Sequence, residues 1–200
     1  QNVSTLIKAA LIVGLIIAGL AFGEPQPISF APSASDMSYM TSAPFADVLK
    51  RFPLGVSIMT VGRGGAVNAL TVSWATPVSF EPPRFLVALD RLHYSLDFLR
   101  STRNFAVNVL REGQERIAGH FARQAMSTEE KLDDVKTHEA TTGAAILDDA
   151  IAWFDCEVVS LLECGDHVLV IGDVVDAGAK GDGAPLVSTA GAGLRYLKAR

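Results

Sequence analysis

Apolar and polar positions change period several times along this chain, and each change marks an element. Phe45, Val48, Leu49 and Phe52 recur at helical spacing, and Pro53 stops the helix they predict over Phe45 to Phe52. Gly55 to Val61 (GVSIMTV) reads as a strand closed by the turn Gly62-Arg63-Gly64-Gly65. From Asn68 to Leu89 the pattern predicts two strands joined by a turn at Pro82-Pro83. Leu92 to Arg100 reads as a helix with Ser95 a candidate N-cap, and Leu96, Phe98 and Leu99 facing inward. Asn104 to Leu110 alternates as a strand, and Gln114 to Gln124 is an amphipathic helix carrying Ile117, Ala118 and Phe121. A polar stretch, Ser127 to Gly143, follows with one helical turn around Glu129 to Leu132. Ala150 to Leu162 and His167 to Val175 are two long strands, and Gly165-Asp166 turns the chain between them as a hairpin. A last short strand is predicted over Gly193 to Leu197.

Strands outnumber helices and carry turn signals between them. The fold class is therefore mainly β: a closed or nearly closed antiparallel barrel with peripheral helices. An N-terminal apolar helix is expected to precede it. Ala9 to Gly23 holds no charged residue, with Lys8 before it and Glu24 after it. Fifteen residues of helix reach only about 22 Å, short of the ~30 Å hydrocarbon core, although Lys8 can snorkel and Val3 to Ile7 can extend the helix. Three readings compete: a signal peptide, a membrane anchor, and a fusion or misassigned start with Met37 as the true beginning. The anchor is favoured, which places the protein at a membrane, or in the cytoplasm if the chain starts at Met37. Residues 24–44, with Pro25, Pro27, Pro32 and Pro44 among serines, read as a linker. The expected division is thus 1–23 apolar helix, 24–44 linker and 45–200 globular domain.

Composition narrows the classes. Of 200 residues, 49% are hydrophobic and 20% charged, which describes a chain able to bury a core. The net charge of −5, without a block of Lys and Arg, argues against a nucleic-acid partner. Cys156 and Cys164 would sit too far apart on one continuous strand to pair, so both read as structural thiols of the core. No Cys/His cluster has zinc spacing, so no metal is expected. No G-x-G-x-x-G opens a helix, no phosphate-binding G-x-x-x-x-G-K-[ST] is present, and no nucleophile elbow or acid pair stands out.

Candidate chemistry begins on the strand from Asn68. Thr71, Ser73, Thr76 and Ser79 place hydroxyls where bulky residues are usual, which suits a flat polar ligand or simply a half-exposed strand. Asp90-Arg91-Leu92-His93-Tyr94-Ser95 joins a strand end to a helix start: either an anion site with free N–H groups, or a plain capped helix. His167, behind the Gly165-Asp166 turn, could orient or protonate a redox ligand, or serve only as a structural hydrogen-bonding group. Lys131 offers a cation within an acidic run, the plainer alternative being a solvated side-chain pair.

These residues, in order, resemble a known family. The series runs Phe52-Pro53-Leu54-Gly55-Val56, Asn68-Ala69-Leu70-Thr71-Val72-Ser73, Ser79-Phe80-Glu81-Pro82-Pro83 and His93-Tyr94-Ser95. It continues through Phe105-Ala106-Val107-Asn108-Val109-Leu110, Gly165-Asp166-His167 and Gly172-Asp173-Val174-Val175. From about Phe45 to Arg200 the chain is similar to the flavin reductase-like family of FMN-binding split β-barrel proteins, which includes the reductase components of two-component flavin monooxygenases. The resemblance implies a homodimer that binds FMN or FAD near the subunit interface and reduces it with NADH or NADPH. It implies a partner monooxygenase that receives the reduced flavin. By position it places Asn68, Thr71, Val72, Ser73, Trp74 and Ser79 along the flavin ring and ribityl chain. Asp90, Arg91, His93 and Ser95 fall at the phosphate, with Lys131 a helper, and His167 on the nicotinamide side as the catalytic residue. The apolar leader is a departure from the family. It motivates the alternative of a membrane-associated flavin-binding electron carrier, or an accessory subunit of a membrane complex, without nicotinamide turnover.

Overall fold

The computed structural model describes residues 48–49, 51–64, 66–123 and 132–188. In chain order the strands are β1 (Leu54–Gly55), β2 (Ser57–Arg63), β3 (Ala66–Val72), β4 (Ala75–Phe80) and β5 (Pro83–Asp90). Helix α1 (Ser95–Thr102), β6 (Asn104–Val109) and α2 (Glu115–Phe121) follow. Then come β7 (Thr137–Glu139), β8 (Ala145–Leu147), β9 (Ala152–Cys164), β10 (His167–Ala179) and β11 (Val187–Ser188).

Seven strands make one sheet in the order β3-β2-β6-β9-β10-β5-β4, antiparallel at every step. Its two edges, β3 and β4, are consecutive in the chain and separated only by Ser73 and Trp74. Two residues span less than about 10 Å, so the sheet must curl until its first and last strands meet. The sequence pattern predicts one strand from Asn68 to the Pro-Pro turn; it breaks at Ser73-Trp74 instead. A sheet this strongly curved needs a corner, and small hydroxylated residues allow one without declaring it.

The interior is filled from both sides of the alternation. Met59, Val61, Leu70, Val72, Phe85, Val87, Phe105, Val107, Val168 and Val170 share one core, and α1 adds Leu96 and Leu99 to it. A second cluster lies outside β2 and β3, where Ile58 and Ala69 meet Ala118 and Phe121 of α2. Strand β2 is therefore buried on both faces, which explains its near-continuous apolar run.

Other differences have local causes. Helix α1 begins at Ser95, not Leu92, because Asp90 ties Leu92 and His93 into a turn. The pairs β1–β11 and β7–β8 are two and three residues long, too short to show a period. Strands β9 and β10 run longer than predicted, to Cys164 and Ala179. Val48 and Leu49 are helical and the chain turns at Arg51 and Phe52. The helical turn around Glu129 to Leu132 falls outside the described residues apart from Leu132, and the strand over Gly193 to Leu197 wholly so. Both cysteines are free; Cys156 is buried, but Cys164 is exposed at the hairpin end, so only the first is a core thiol.

The membrane-anchor expectation is corrected. Among the described residues no helix is long and apolar enough to cross a membrane. The leader 1–23 lies outside them, and its fifteen apolar residues fall short of a bilayer span as a helix. The placement at a membrane built on that helix falls with it.

Candidate functional site

Strand pairing brings the end of β5 beside the start of β10, with Asp90 opposite His167. The loop leaving β5 is then held by its own backbone and by the hairpin. Arg91 N–H donates to the Asp166 carbonyl at 3.0 Å, Leu92 N–H to Asp90 Oδ1 at 2.8 Å and His93 N–H to the Asp90 carbonyl at 2.9 Å. Asn68 on β3 reaches the same loop. Its amide nitrogen donates to Ser95 Oγ at 2.6 Å, and its oxygen accepts from the Tyr94 hydroxyl at 2.8 Å. Asn68 and Ser95 are both fully buried.

This network revises the anion-site reading. Ser95 is not the N-cap; Tyr94 holds that position and makes no side-chain cap bond. Ser95 N–H donates to His93 Nδ1 at 3.2 Å, and Leu96 and Asp97 N–H donate to the His93 and Tyr94 carbonyls. The first amides of α1 are thus engaged within the protein. Asn68 and Ser95 are spent on each other and on Tyr94, so they shape the site from beneath. The loop presents outward the exposed Arg91 and Leu92 side chains and half-buried His93, whose ring stacks on Tyr94 at 5.0 Å.

At the corner between β3 and β4, the Trp74 carbonyl accepts from Ala88 N–H at 2.8 Å, fixing its backbone to β5. Its ring lies over His167, centroids 4.6 Å apart and planes 29° from parallel. His167 Nδ1 is 2.6 Å from Asp166 Oδ1. The hydrogen bond from His167, then its charge, hold the Asp166 carboxyl below the usual carboxylate range. Trp74, His167, Asp90, Arg91 and His93 thus occupy one end of the sheet, a proximity that the linear sequence could not show.

The hydroxyl row does not line a single surface. Thr71 Oγ donates to the Ala118 carbonyl of α2 at 2.6 Å, on the face of β3 opposite Val72, which is core. Ser73 is buried at the corner. Thr76 is exposed and donates to the Pro77 carbonyl. Ser79 pairs with Arg84, six residues from Asp90 along β5 and hence about 20 Å from the His167 end. Alternation of faces and the bulge between Pro77 and Ser79 separate what the linear spacing placed together. Lys131 lies outside the described residues.

The sequence reading missed a cavity of about 620 Å³ beside α2, within the range of small-molecule sites. Arg116, His120, Arg123 and Lys136 line it together with the carboxylates Asp134 and Asp149 and with Ile117, Phe121 and Leu147. Arg116, Ile117, His120 and Arg123 recur at helical spacing from α2 onward, which was the available signal. No residue of the β3–β4 corner or of the ring stack is among those lining the cavity. Among the described residues no group of His, Cys, Asp and Glu could hold a metal ion. An aromatic stack beside an exposed guanidinium fits a planar ring carrying phosphates; FMN and FAD are of that kind.

Comparison with known proteins agrees with this chemistry. The family described as flavin reductase like domain matches residues 49–192. The flavin reductase (NADH) of Kitasatospora aureofaciens is 33% identical over 157 residues, covering 77% of this chain and 78% of that protein. The reductase component of the 4-nitrophenol 4-monooxygenase/4-nitrocatechol 2-monooxygenase of Rhodococcus opacus is 34% identical, covering 74% and 77%. Among solved structures, the Streptomyces globisporus C-1027 NADH:FAD oxidoreductase SgcE6 superposes with a TM-score of 0.69 at 30% identity, covering 74% of this chain and 89% of that one. The chain also matches diflavin flavoproteins of Synechocystis and Nostoc, of which it spans only about a quarter, 24% and 22% of their length. With most of its length matched and its fold shared, the chain belongs to the flavin reductase like domain family.

Proposed function

We propose that this chain is an NAD(P)H-dependent flavin reductase that transfers hydride from the nicotinamide of NADH or NADPH to N5 of FMN or FAD. The observation that carries the reading is the Trp74–His167 stack at the barrel corner, on the end of the sheet that also carries Arg91. A bound flavin supplies the hydride acceptor; the protein supplies orientation and charge. Trp74 offers a fixed aromatic surface on which a planar ring can lie, restricting the approach that hydride transfer needs. Arg91 suits the phosphate groups. His167 contacts the nicotinamide side through Nε2, since Nδ1 is taken by Asp166. Ser73 at the corner is retained as a ring contact; Asn68, Thr71 and Ser95 act by holding strand, helix and loop in place.

The test is direct. Purified protein with each pairing of FMN or FAD and NADH or NADPH should oxidise nicotinamide only when flavin is present. No turnover with all pairings overturns the reading. A second reading, a flavin-binding electron-transfer module, is favoured by the partial match to the larger diflavin flavoproteins. It predicts retained flavin with no nicotinamide oxidation.

The proposed assembly is a homodimer that passes reduced flavin to a monooxygenase. Val159, Leu162 and Val175 are large, apolar and exposed along the β9–β10 hairpin, which supports a covering surface there. Light scattering should give twice the chain mass. A monomer with full activity would remove the dimer.

A further inference from the structure

Asp166 is the hydrogen-bond partner of His167 Nδ1, which bears on ligand choice. An ionised carboxylate only accepts hydrogen bonds. At 2.6 Å it therefore demands the proton on His167 Nδ1. In a neutral imidazole that leaves Nε2 with a lone pair and no hydrogen. We propose that Asp166 is a positioning residue: it fixes the Nδ1–H form of His167, so that Nε2 accepts a hydrogen bond and selects ligands that bring an N–H donor. In the reductase reading, on which this rests, that donor is the carboxamide NH2 of the nicotinamide.

Three features keep the arrangement in one state. The Asp166 carbonyl accepts from Arg91 N–H, so the residue is anchored by main chain and side chain at once. The Trp74 ring covers one face of the imidazole, so tilting the ring out of plane would break the stack, while a 180° flip would break the Asp166 bond. The His167 side chain is 18% exposed while the Asp166 side chain is 78% exposed, so the carboxylate stands on the solvent side of a mostly covered ring. Other ionisable groups around His167 do not replace it. Asp90 faces it from β5 but spends Oδ1 on Leu92 N–H, Cys164 faces it from β9, and the Arg91 charge acts on Asp166 itself. A single contact made by a solvent-exposed carboxylate adds little to folding. Its effect is therefore to be sought in ligand recognition.

The experiment uses the full chain, the Asp166→Ala variant and the conservative Asp166→Glu. Nitrogen chemical shifts of histidine-labelled protein, with His167→Gln to assign the signal, report the tautomer without flavin or turnover. Wild type should show Nδ1–H; Asp166→Ala should revert toward the Nε2–H form that free imidazole side chains favour; Asp166→Glu should restore Nδ1–H. In parallel, Kd is measured for NADH and for its analogue with an acetyl group in place of the carboxamide. Losing one matched hydrogen bond should weaken binding to wild type roughly tenfold. In Asp166→Ala the two ligands should differ by no more than about twofold. An unchanged tautomer in Asp166→Ala, or undiminished discrimination, overturns the proposal. Failure of wild type to bind either dinucleotide overturns the reductase reading instead.

Discussion

Gly172 on β10 lies directly over Phe105: a Cβ there would sit 2.6 Å from the ring and 2.9 Å from Cys156 Cβ. Phe105 is fully buried and cannot swing away. Gly172→Ala should therefore destabilise the fold by about 1–3 kcal/mol, read as a lower midpoint in chemical denaturation with an unchanged slope. Asn68 poses the opposite problem, loss instead of excess. Asn68→Ala strands the Tyr94 hydroxyl and Ser95 Oγ, at a cost of about 1–3 kcal/mol for buried groups left unsatisfied. Because the clamp holds the loop carrying Arg91 and His93, flavin affinity should fall as well. A variant that is less stable yet binds flavin normally would show that the clamp serves folding alone. Sequence reasoning placed Asn68 among the ligand contacts. Residue type and position along a strand were legible, but whether an amide faces a ligand or a neighbouring loop depends on what packs beneath it.

At the scale of elements, short pieces depend on ties to the large sheet. Helix α2 is seven residues long, too short to be stable alone, and Thr71 anchors it by a single bond to Ala118. Thr71→Val should cost about 1 kcal/mol and speed amide exchange in α2 more than in β9 or β10. Equal acceleration everywhere would count against a local anchor. The β7–β8 pair is likewise small, and its turn is held by Asp155, whose two oxygens accept from Thr142 N–H at 2.7 Å and Thr142 Oγ at 2.6 Å. The long strands were readable because eight to thirteen residues show a period. These short ones were not, since their pairing exists only after the sheet has formed.

For the whole molecule, the buried Asp155 sets a pH dependence. Burial is the largest influence and raises its carboxyl above the ordinary value despite the Thr142 bonds. A carboxyl raised on folding favours the native state most below its unfolded pKa of about 3.9, and that contribution is lost as pH rises through the native value. Asp155→Asn removes the titration, so its stability deficit against wild type should be larger near about pH 3 than near about pH 7. Asp166 has the opposite sign: lowered in the native state, it favours folding above the ordinary carboxylate range and loses that as pH falls. A deficit in Asp155→Asn that grows toward neutrality would reverse the assignment for Asp155. At this same scale, the split of Ser79 from His167 shows why a row of hydroxyls along the sequence did not become a row in space. A strand sends neighbours to opposite faces, and a bulge resets the count.

The order of apolar and polar positions alone determined a mainly β chain with its main strands and the hairpin at Gly165-Asp166, because periodicity and turn residues are local properties; the family resemblance rested on the identities of the motif residues in order. Closure at Ser73-Trp74, the stack of Trp74 on His167, the engagement of Asn68, Thr71 and Ser95 inside the protein, and the cavity beside α2 were decided only by tertiary structure. Each joins residues far apart in the chain, and which hydrogen-bonding group meets ligand or protein is set by the curvature of the sheet that brings its edges together.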